Sequence, residues 1–116
     1  MINYGKHFID KDDISSVIKV LKYKNLTQGS LVKKFENNLS KKFGAKYCTV
    51  LSSGTAALHL AIKSLNLKKS YEALTTPITF SATASSVLMN NLKLNLIDIN
   101  YENYTLDLNK LEDKVK

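Results

Sequence analysis

The sequence predicts an α/β fold: a largely parallel sheet with helices on its faces. Three observations predict it. Apolar residues recur at helical spacing in four stretches, and short strand-like runs lie at 46–51, 73–76 and 92–99. Two of the helical stretches fall between these runs, so each strand is followed by a helix long enough to cross over and return parallel. The sequence reads strand, helix, strand, helix, strand from Lys46 to Ile99.

Lys11-Asp12-Asp13 opens a first helix with acidic residues where the helix dipole favours them, and Ile14, Val17, Ile18 and Leu21 form a face expected to pack. A polar loop, Lys22 to Gly29, leads to a second helix with Ser30 as its expected cap. Val32, Phe35, Leu39 and Phe43 share one side of it, and Gly44 ends it. The first strand runs from Lys46 to Leu51, through Cys48, which reads as a small buried hydrophobe rather than a nucleophile. After Ser53-Gly54-Thr55 a third helix carries Leu58, Ala61, Ile62 and Leu65 on one face and ends near Asn66. A short strand at Ala73–Thr76 is stopped by Pro77, and a fourth helix starts close behind Phe80 with Ala84, Val87 and Leu88 inward. The strand Leu92–Ile99 has Asp98 near its end, where the carboxylate reads as satisfying loop amides rather than as a catalytic group. A loop rich in acidic residues and tyrosine then leads to a last short helix, 109–116.

With 44% apolar and 23% charged residues and only one proline, the 116-residue chain reads as globular rather than disordered. Its length suits one core, not two ordinary domains. No apolar run approaches the roughly 20 residues that span a bilayer, and the N-terminus does not read as an export signal, so the expected location is cytoplasmic without membrane association. The single cysteine excludes an internal disulfide, and no metal-ligand spacing occurs. The net charge of +7 comes from lysine alone. Without arginine, the usual bidentate reader of guanine and phosphate, and with Lys33-Lys34, Lys41-Lys42 and Lys68-Lys69 dispersed, the charge reads as solvated helix faces rather than a nucleic-acid footprint.

Two loops stand out as candidates for chemistry. Leu51-Ser52-Ser53-Gly54-Thr55-Ala56-Ala57-Leu58 is a strand, a tight turn and a helix start; Thr75-Thr76-Pro77-Ile78-Thr79-Phe80-Ser81-Ala82-Thr83 is a second strand-to-helix loop holding one aromatic ring. In an open parallel sheet both lie beyond the carboxyl ends of the strands, where ligands collect. Free N–H groups and the positive end of a helix dipole favour a phosphate at such a turn, and Phe80 can cover a planar ring. Each loop alone also has a plainer reading, as a helix cap and as a core aromatic. His59 reads as a packed or surface histidine, and His7 has no partner in view.

Ser53-Gly54-Thr55-Ala56-Ala57-Leu58-His59-Leu60-Ala61, the run Thr75–Ala84 and the loop Leu26-Thr27-Gln28-Gly29 together resemble the N-terminal part of the DegT/DnrJ/EryC1/StrS family of pyridoxal-phosphate-dependent sugar aminotransferases. The opening Ile2-Asn3-Tyr4-Gly5 followed by the segment Ile9–Asp13, with Leu26-Thr27-Gln28-Gly29 and Thr75-Thr76-Pro77-Ile78-Thr79-Phe80, is most similar to the branch that serves pseudaminic acid biosynthesis. The resemblance implies the N-terminal part of an aspartate-aminotransferase-like large domain (fold type I) with a mostly parallel sheet, in a homodimer. It implies residues 1–30 as N-terminal helix and substrate-side loop and 31–116 as the first part of the cofactor domain. It also implies pyridoxal 5′-phosphate as cofactor, an amino acid such as glutamate as donor, and the keto group of a UDP-linked 4-keto-6-deoxy sugar as acceptor. Ser53, Gly54 and Thr55 would form the cofactor turn, with Gly54 and Thr55 on the phosphate, and Phe80 would stack on the pyridine ring. Tyr4, Lys24, Asn25, Leu26, Thr27 and Gln28 would lie against the sugar nucleotide, with Ser53 beside them.

Family members are roughly three times this length. The lysine that anchors the cofactor and the aspartate that pairs with its ring nitrogen belong to later segments, so no catalytic residue is assigned within this sequence. The isolated chain is expected to be inactive. Before the second strand the family's usual Gly-Asp-Glu turn is replaced by Lys69-Ser70-Tyr71-Glu72, in which only Glu72 fits. Two other readings stay open: a non-catalytic relic or interaction module, and a small basic nucleic-acid-binding domain.

Overall fold

The structure, a computed structural model, describes residues 5–27 and 29–115. The chain divides into two compact units, Met1–Val50 and Leu51–Lys116.

The first unit contains helices α1 (Lys11–Tyr23) and α2 (Ser30–Phe43). The α1 start is set by Asp10, whose carboxylate accepts the N–H groups of Asp12 and Asp13 at 2.9 Å. Asp13 reciprocates by accepting the Asp10 N–H at 3.1 Å, which closes a capping box. The expected cap of α2 moves by one residue. Ser30 is already helical and Gly29 is the N-cap, without a side-chain bond. Glycine is required there by space, since a Cβ on it would strike the carbonyl oxygen of Asn25. Gly44, in the left-handed region at φ 64°, ends α2 and lets the Ala45 N–H reach the Ser40 carbonyl at 2.9 Å.

Two further expectations change in this unit. Ile14, Val17, Ile18 and Leu21 are exposed rather than packed, as are Val32, Phe35 and Phe43 on α2, and neither helix buries a residue. The amphipathic pattern is present; an apolar partner is not, among the described residues. The expected strand at 46–51 is also absent as a strand. A ladder needs a neighbouring chain, and among the described residues none pairs with this run. The Glu36 carboxylate accepts the Val50 N–H at 3.0 Å instead, and Cys48 is half-buried.

The second unit holds α3 (Gly54–Ser64), β1 (Glu72–Thr75), α4 (Ala82–Met89), β2 (Lys93–Leu96) and α5 (Leu108–Val115). β1 and β2 pair in parallel, Glu72 opposite Lys93 and Thr75 opposite Leu96, with α4 as the crossover. The second strand is shorter than the expected 92–99 because β1 has only four residues to pair with, although the Ile97 N–H still reaches the Thr75 carbonyl at 2.8 Å. Helix α4 packs on α3 and on both strands. The core is Ala82, Val87, Leu92, Ile97 and Ile99, with Ser86 buried among them. Within α4, Val87 is inward as expected and Ala84 is half-buried, but Leu88 is 56% exposed. The small residues Ala82 and Ser86, one helical turn apart, take the inward face instead.

Beyond β2, Ile99 bridges to Leu106 in antiparallel fashion, and Asp98 closes the segment. Its carboxylate accepts the Ile99 N–H at 2.9 Å and pairs with Lys110 of α5 at 3.0 Å. The hydrogen bond from Lys110 and the Ile99 amide hold the Asp98 pKa below its ordinary 3.8, and Asp98 raises that of Lys110 above 10.5. The stabilisation from Asp98 is therefore complete above 3.8 and is lost as pH falls through the lowered folded value. That from Lys110 is complete below 10.5 and is lost as pH rises through the raised one. Melting of the parent and of Asp98→Asn should differ at neutral pH and converge as the solution is acidified below 3.8; a gap that persists in acid would contradict the pairing.

Candidate functional site

The first loop is organised by Ser53. Its backbone is extended (φ −159°, ψ 162°), which turns its hydroxyl oxygen back to accept the Ala56 N–H at 3.2 Å, while its carbonyl accepts the Ala57 N–H at 3.0 Å. Two helix-start donors are left over: the N–H groups of Gly54 and Thr55 have no acceptor among the described residues. Gly54 is not in the left-handed region, and a Cβ built on it meets no atom within 4 Å. Neither strain nor crowding within the chain calls for glycine here. The space in front of the turn is open.

The second loop leaves β1 at Thr75. The Thr76 hydroxyl donates to the Ile78 carbonyl at 3.2 Å, and the hydroxyls of Thr79 and Thr83 are hydrogen-bonded at 3.0 Å. The Phe80 carbonyl accepts the Thr83 N–H at 3.0 Å, which ties that residue to the first turn of α4. Phe80 is 76% exposed, so it is not the core aromatic of the plainer reading.

These two loops line one open cavity of about 580 Å³. Gly54, Thr55, Ala57, Leu58 and Ala61 of α3 form one wall; Phe80 and Ala82 form the other. Leu58 and Ala61, expected on a packed face, border this cavity, as does Ala57. The signal was in the sequence: Ala57 and Ala61 lie four apart, and two small residues one turn apart leave room beside a helix. All the lining side chains are neutral, so an anion at this turn would be met by the α3 amides and dipole.

The other candidate residues are placed elsewhere. Lys24, Asn25, Leu26 and Thr27 belong to the first unit, exposed between α1 and α2, with the Lys24 N–H capping α1 on the Val20 carbonyl at 3.0 Å. Tyr4 and Gln28 lie outside the described residues. His59 is half-buried on α3, and its carbonyl accepts the side-chain amide of Asn90. Glu72, at the opposite end of β1 from the cavity, accepts from Lys93 at 3.3 Å and from Asn95. Among the described residues there is no cluster fit for a metal ion, and no helix is long and apolar enough to cross a membrane.

The profile of the DegT/DnrJ/EryC1/StrS aminotransferase family matches residues 7–116. The chain is 42% identical over 115 residues to the UDP-4-amino-4,6-dideoxy-N-acetyl-beta-L-altrosamine transaminase of Campylobacter jejuni subsp. jejuni serotype O:23/36 (strain 81-176), a match covering 99% of this chain and 30% of that protein. Among solved structures it is similar to Helicobacter pylori PseC, an aminotransferase involved in the biosynthesis of pseudoaminic acid (TM-score 0.88, 31% identity, 98% of this chain and 31% of that one). It is also similar to the PLP form of the putative sugar aminotransferase Spr1654 from Streptococcus pneumoniae (TM-score 0.86, 25% identity, 97% and 29%). The fold is thus the α/β fold of PLP-dependent aminotransferases, of which the chain represents the N-terminal part with a parallel sheet and flanking helices. The chain spans about 30% of the length of the curated relatives it matches.

Proposed function

The chain belongs to the DegT/DnrJ/EryC1/StrS aminotransferase family, and from that membership we propose that residues 51–82 supply the phosphate-binding turn and the ring-covering aromatic of a pyridoxal-phosphate-dependent sugar aminotransferase. The observation that carries this reading is the cavity that has Gly54 and Thr55 on one wall and Phe80 on the other. The residues present fit the group. Two unengaged N–H groups at a helix start suit a phosphate, and the open space before Gly54 lets it approach the backbone. An exposed phenyl ring suits the pyridine.

When bound, the cofactor supplies an electron sink that lets an amino group pass between an amino acid and a keto sugar. The chain's own part is to bind and orient. Ser53 holds the turn in shape through its bond to Ala56, so that the donors of Gly54 and Thr55 stay aimed at the phosphate. Phe80 covers one face of the ring and excludes water from it. Tyr4, Lys24, Asn25, Leu26, Thr27 and Gln28, with Ser53, are assigned to the sugar nucleotide. By likeness to the Campylobacter relative, the sugar handled is UDP-4-amino-4,6-dideoxy-N-acetyl-beta-L-altrosamine; the proposal takes it as the product, with the UDP-linked 4-keto-6-deoxy sugar as acceptor and glutamate as donor. No lysine within residues 1–116 is assigned as the covalent anchor. The proposal therefore includes no transamination by these 116 residues alone. It places the working enzyme in the cytoplasm, as a homodimer.

Gly54→Val tests the assignment. A side chain there would stand in the approach to the turn, and its Cβ would meet no other atom of the fold within 4 Å, so stability should stay within about 0.5 kcal/mol of the parent. Affinity for pyridoxamine 5′-phosphate, read by calorimetry on the full-length gene product, should fall by at least about tenfold. This amine form of the cofactor avoids adventitious imines with the 17 lysines. Unchanged affinity would remove the phosphate from this turn.

A further inference from the structure

We propose that Asn90 is a positioning residue for the cofactor, one that sets the separation between the phosphate turn and the ring of Phe80 by clamping α4 to α3; this rests on the cofactor reading above. At the end of α4 the Asn90 N–H bonds to the Val87 carbonyl at 3.1 Å, so the Ser86 carbonyl lacks its usual backbone donor. The side-chain amide of Asn90 replaces that donor, at 2.8 Å from the Ser86 oxygen. The same nitrogen donates at 3.0 Å to the carbonyl of His59 in the middle of α3. Among the described residues this is the one side-chain hydrogen bond between the two helices.

The consequence follows from what each helix carries. The phosphate donors Gly54 and Thr55 are the first residues of α3, and Phe80 is tied to the first turn of α4 through Thr83. The register of α4 along α3 therefore fixes how far the ring lies from the phosphate. The buried residues of α4 are Ala82, Ser86 and Val87, two of them small, and apolar packing is less selective for one register along the helix axis than a directional bond. A hydrogen bond to one particular carbonyl selects one register. A phosphate alone needs only the turn; the whole cofactor needs turn and ring at the correct distance.

The test compares two probes, pyridoxamine 5′-phosphate and inorganic phosphate, on the full-length gene product. Asn90→Ala should weaken pyridoxamine 5′-phosphate by about fivefold and leave inorganic phosphate unchanged. In a Phe80→Ala background the same change should have no further effect, because the register no longer matters once the ring is gone. Asn90→Gln, which keeps an amide but displaces its reach, should shift the two probes apart in the same direction, and it decides the matter if Asn90→Ala does not fold. Equal loss for both probes, or losses that add to that of Phe80→Ala, would mean a merely structural role and overturn the proposal. Indifference to Asn90 in a protein that still responds to Gly54→Val and Phe80→Ala would overturn this inference alone; indifference to all three would remove the cofactor reading.

Discussion

Phe80→Ala is expected to weaken binding of pyridoxamine 5′-phosphate by about tenfold while leaving the fold intact. A planar aromatic stacked on one side chain typically gains about 1–3 kcal/mol from it, and tenfold in affinity is about 1.4 kcal/mol. The ring can be removed cheaply because Phe80 is 76% exposed and is not itself among the buried core residues Ala82, Val87, Leu92, Ile97 and Ile99. Unfolding stability should change by no more than about 0.5 kcal/mol, the usual range for a surface position. Calorimetry of binding and urea denaturation on the same variant separate the two effects. A variant that binds as tightly as the parent would end the stacking assignment, and one that loses stability instead would make Phe80 a structural residue.

The complementary prediction falls on Ile97, which is 2% exposed just beyond β2, with its N–H on the Thr75 carbonyl. Ile97→Ala should destabilise by about 2–5 kcal/mol, the cost of deleting a buried aliphatic side chain and leaving part of its volume empty. The core of the second unit is small, so each side chain is a large share of it. The urea midpoint should fall at nearly constant slope. A loss under about 0.5 kcal/mol would mean that the site collapses freely around the smaller side chain, and that Ile97 does not anchor the sheet to α4.

Much of this was legible in the sequence because short-range chemistry wrote it. Gly44 ends α2 and Ser53 caps α3 where the residue types require, and the polar run beyond β1 leads into α4 behind Phe80 as expected. The parallel pairing of β1 with β2 followed from strand, helix, strand order. What sequence could not supply was partnership. The run at 46–51 has the composition of a strand, yet a strand is made by a neighbour's hydrogen bonds. The apolar faces of α1 and α2 were correct as patterns and wrong as packed surfaces, since periodicity shows which face is apolar and not whether anything covers it. Leu88 was expected inward with Ala84 and Val87, whereas Ala82 and Ser86 join Val87 as the buried residues of α4. The displacement of the α2 cap from Ser30 to Gly29 depended on where the Asn25 carbonyl lies, which no local rule contains.

For the site, the turn and the aromatic were legible as types, and the structure brings Gly54, Thr55 and Phe80 to one cavity. The alanines beside them, Ala57 and Ala61, carried a signal in their four-residue spacing, but the cavity exists only once Phe80 and Ala82 form its opposite wall. The α3–α4 bridge of Asn90 spans 31 residues of sequence and had no local signature at all.

The most direct test of the central claim is a crystal structure of the full-length gene product with pyridoxamine 5′-phosphate. The phosphate is expected within hydrogen-bonding distance of the Gly54 and Thr55 N–H groups, with the pyridine ring face to face with Phe80. A phosphate held elsewhere, or a ring remote from Phe80, would contradict the assignment of this cavity to the cofactor.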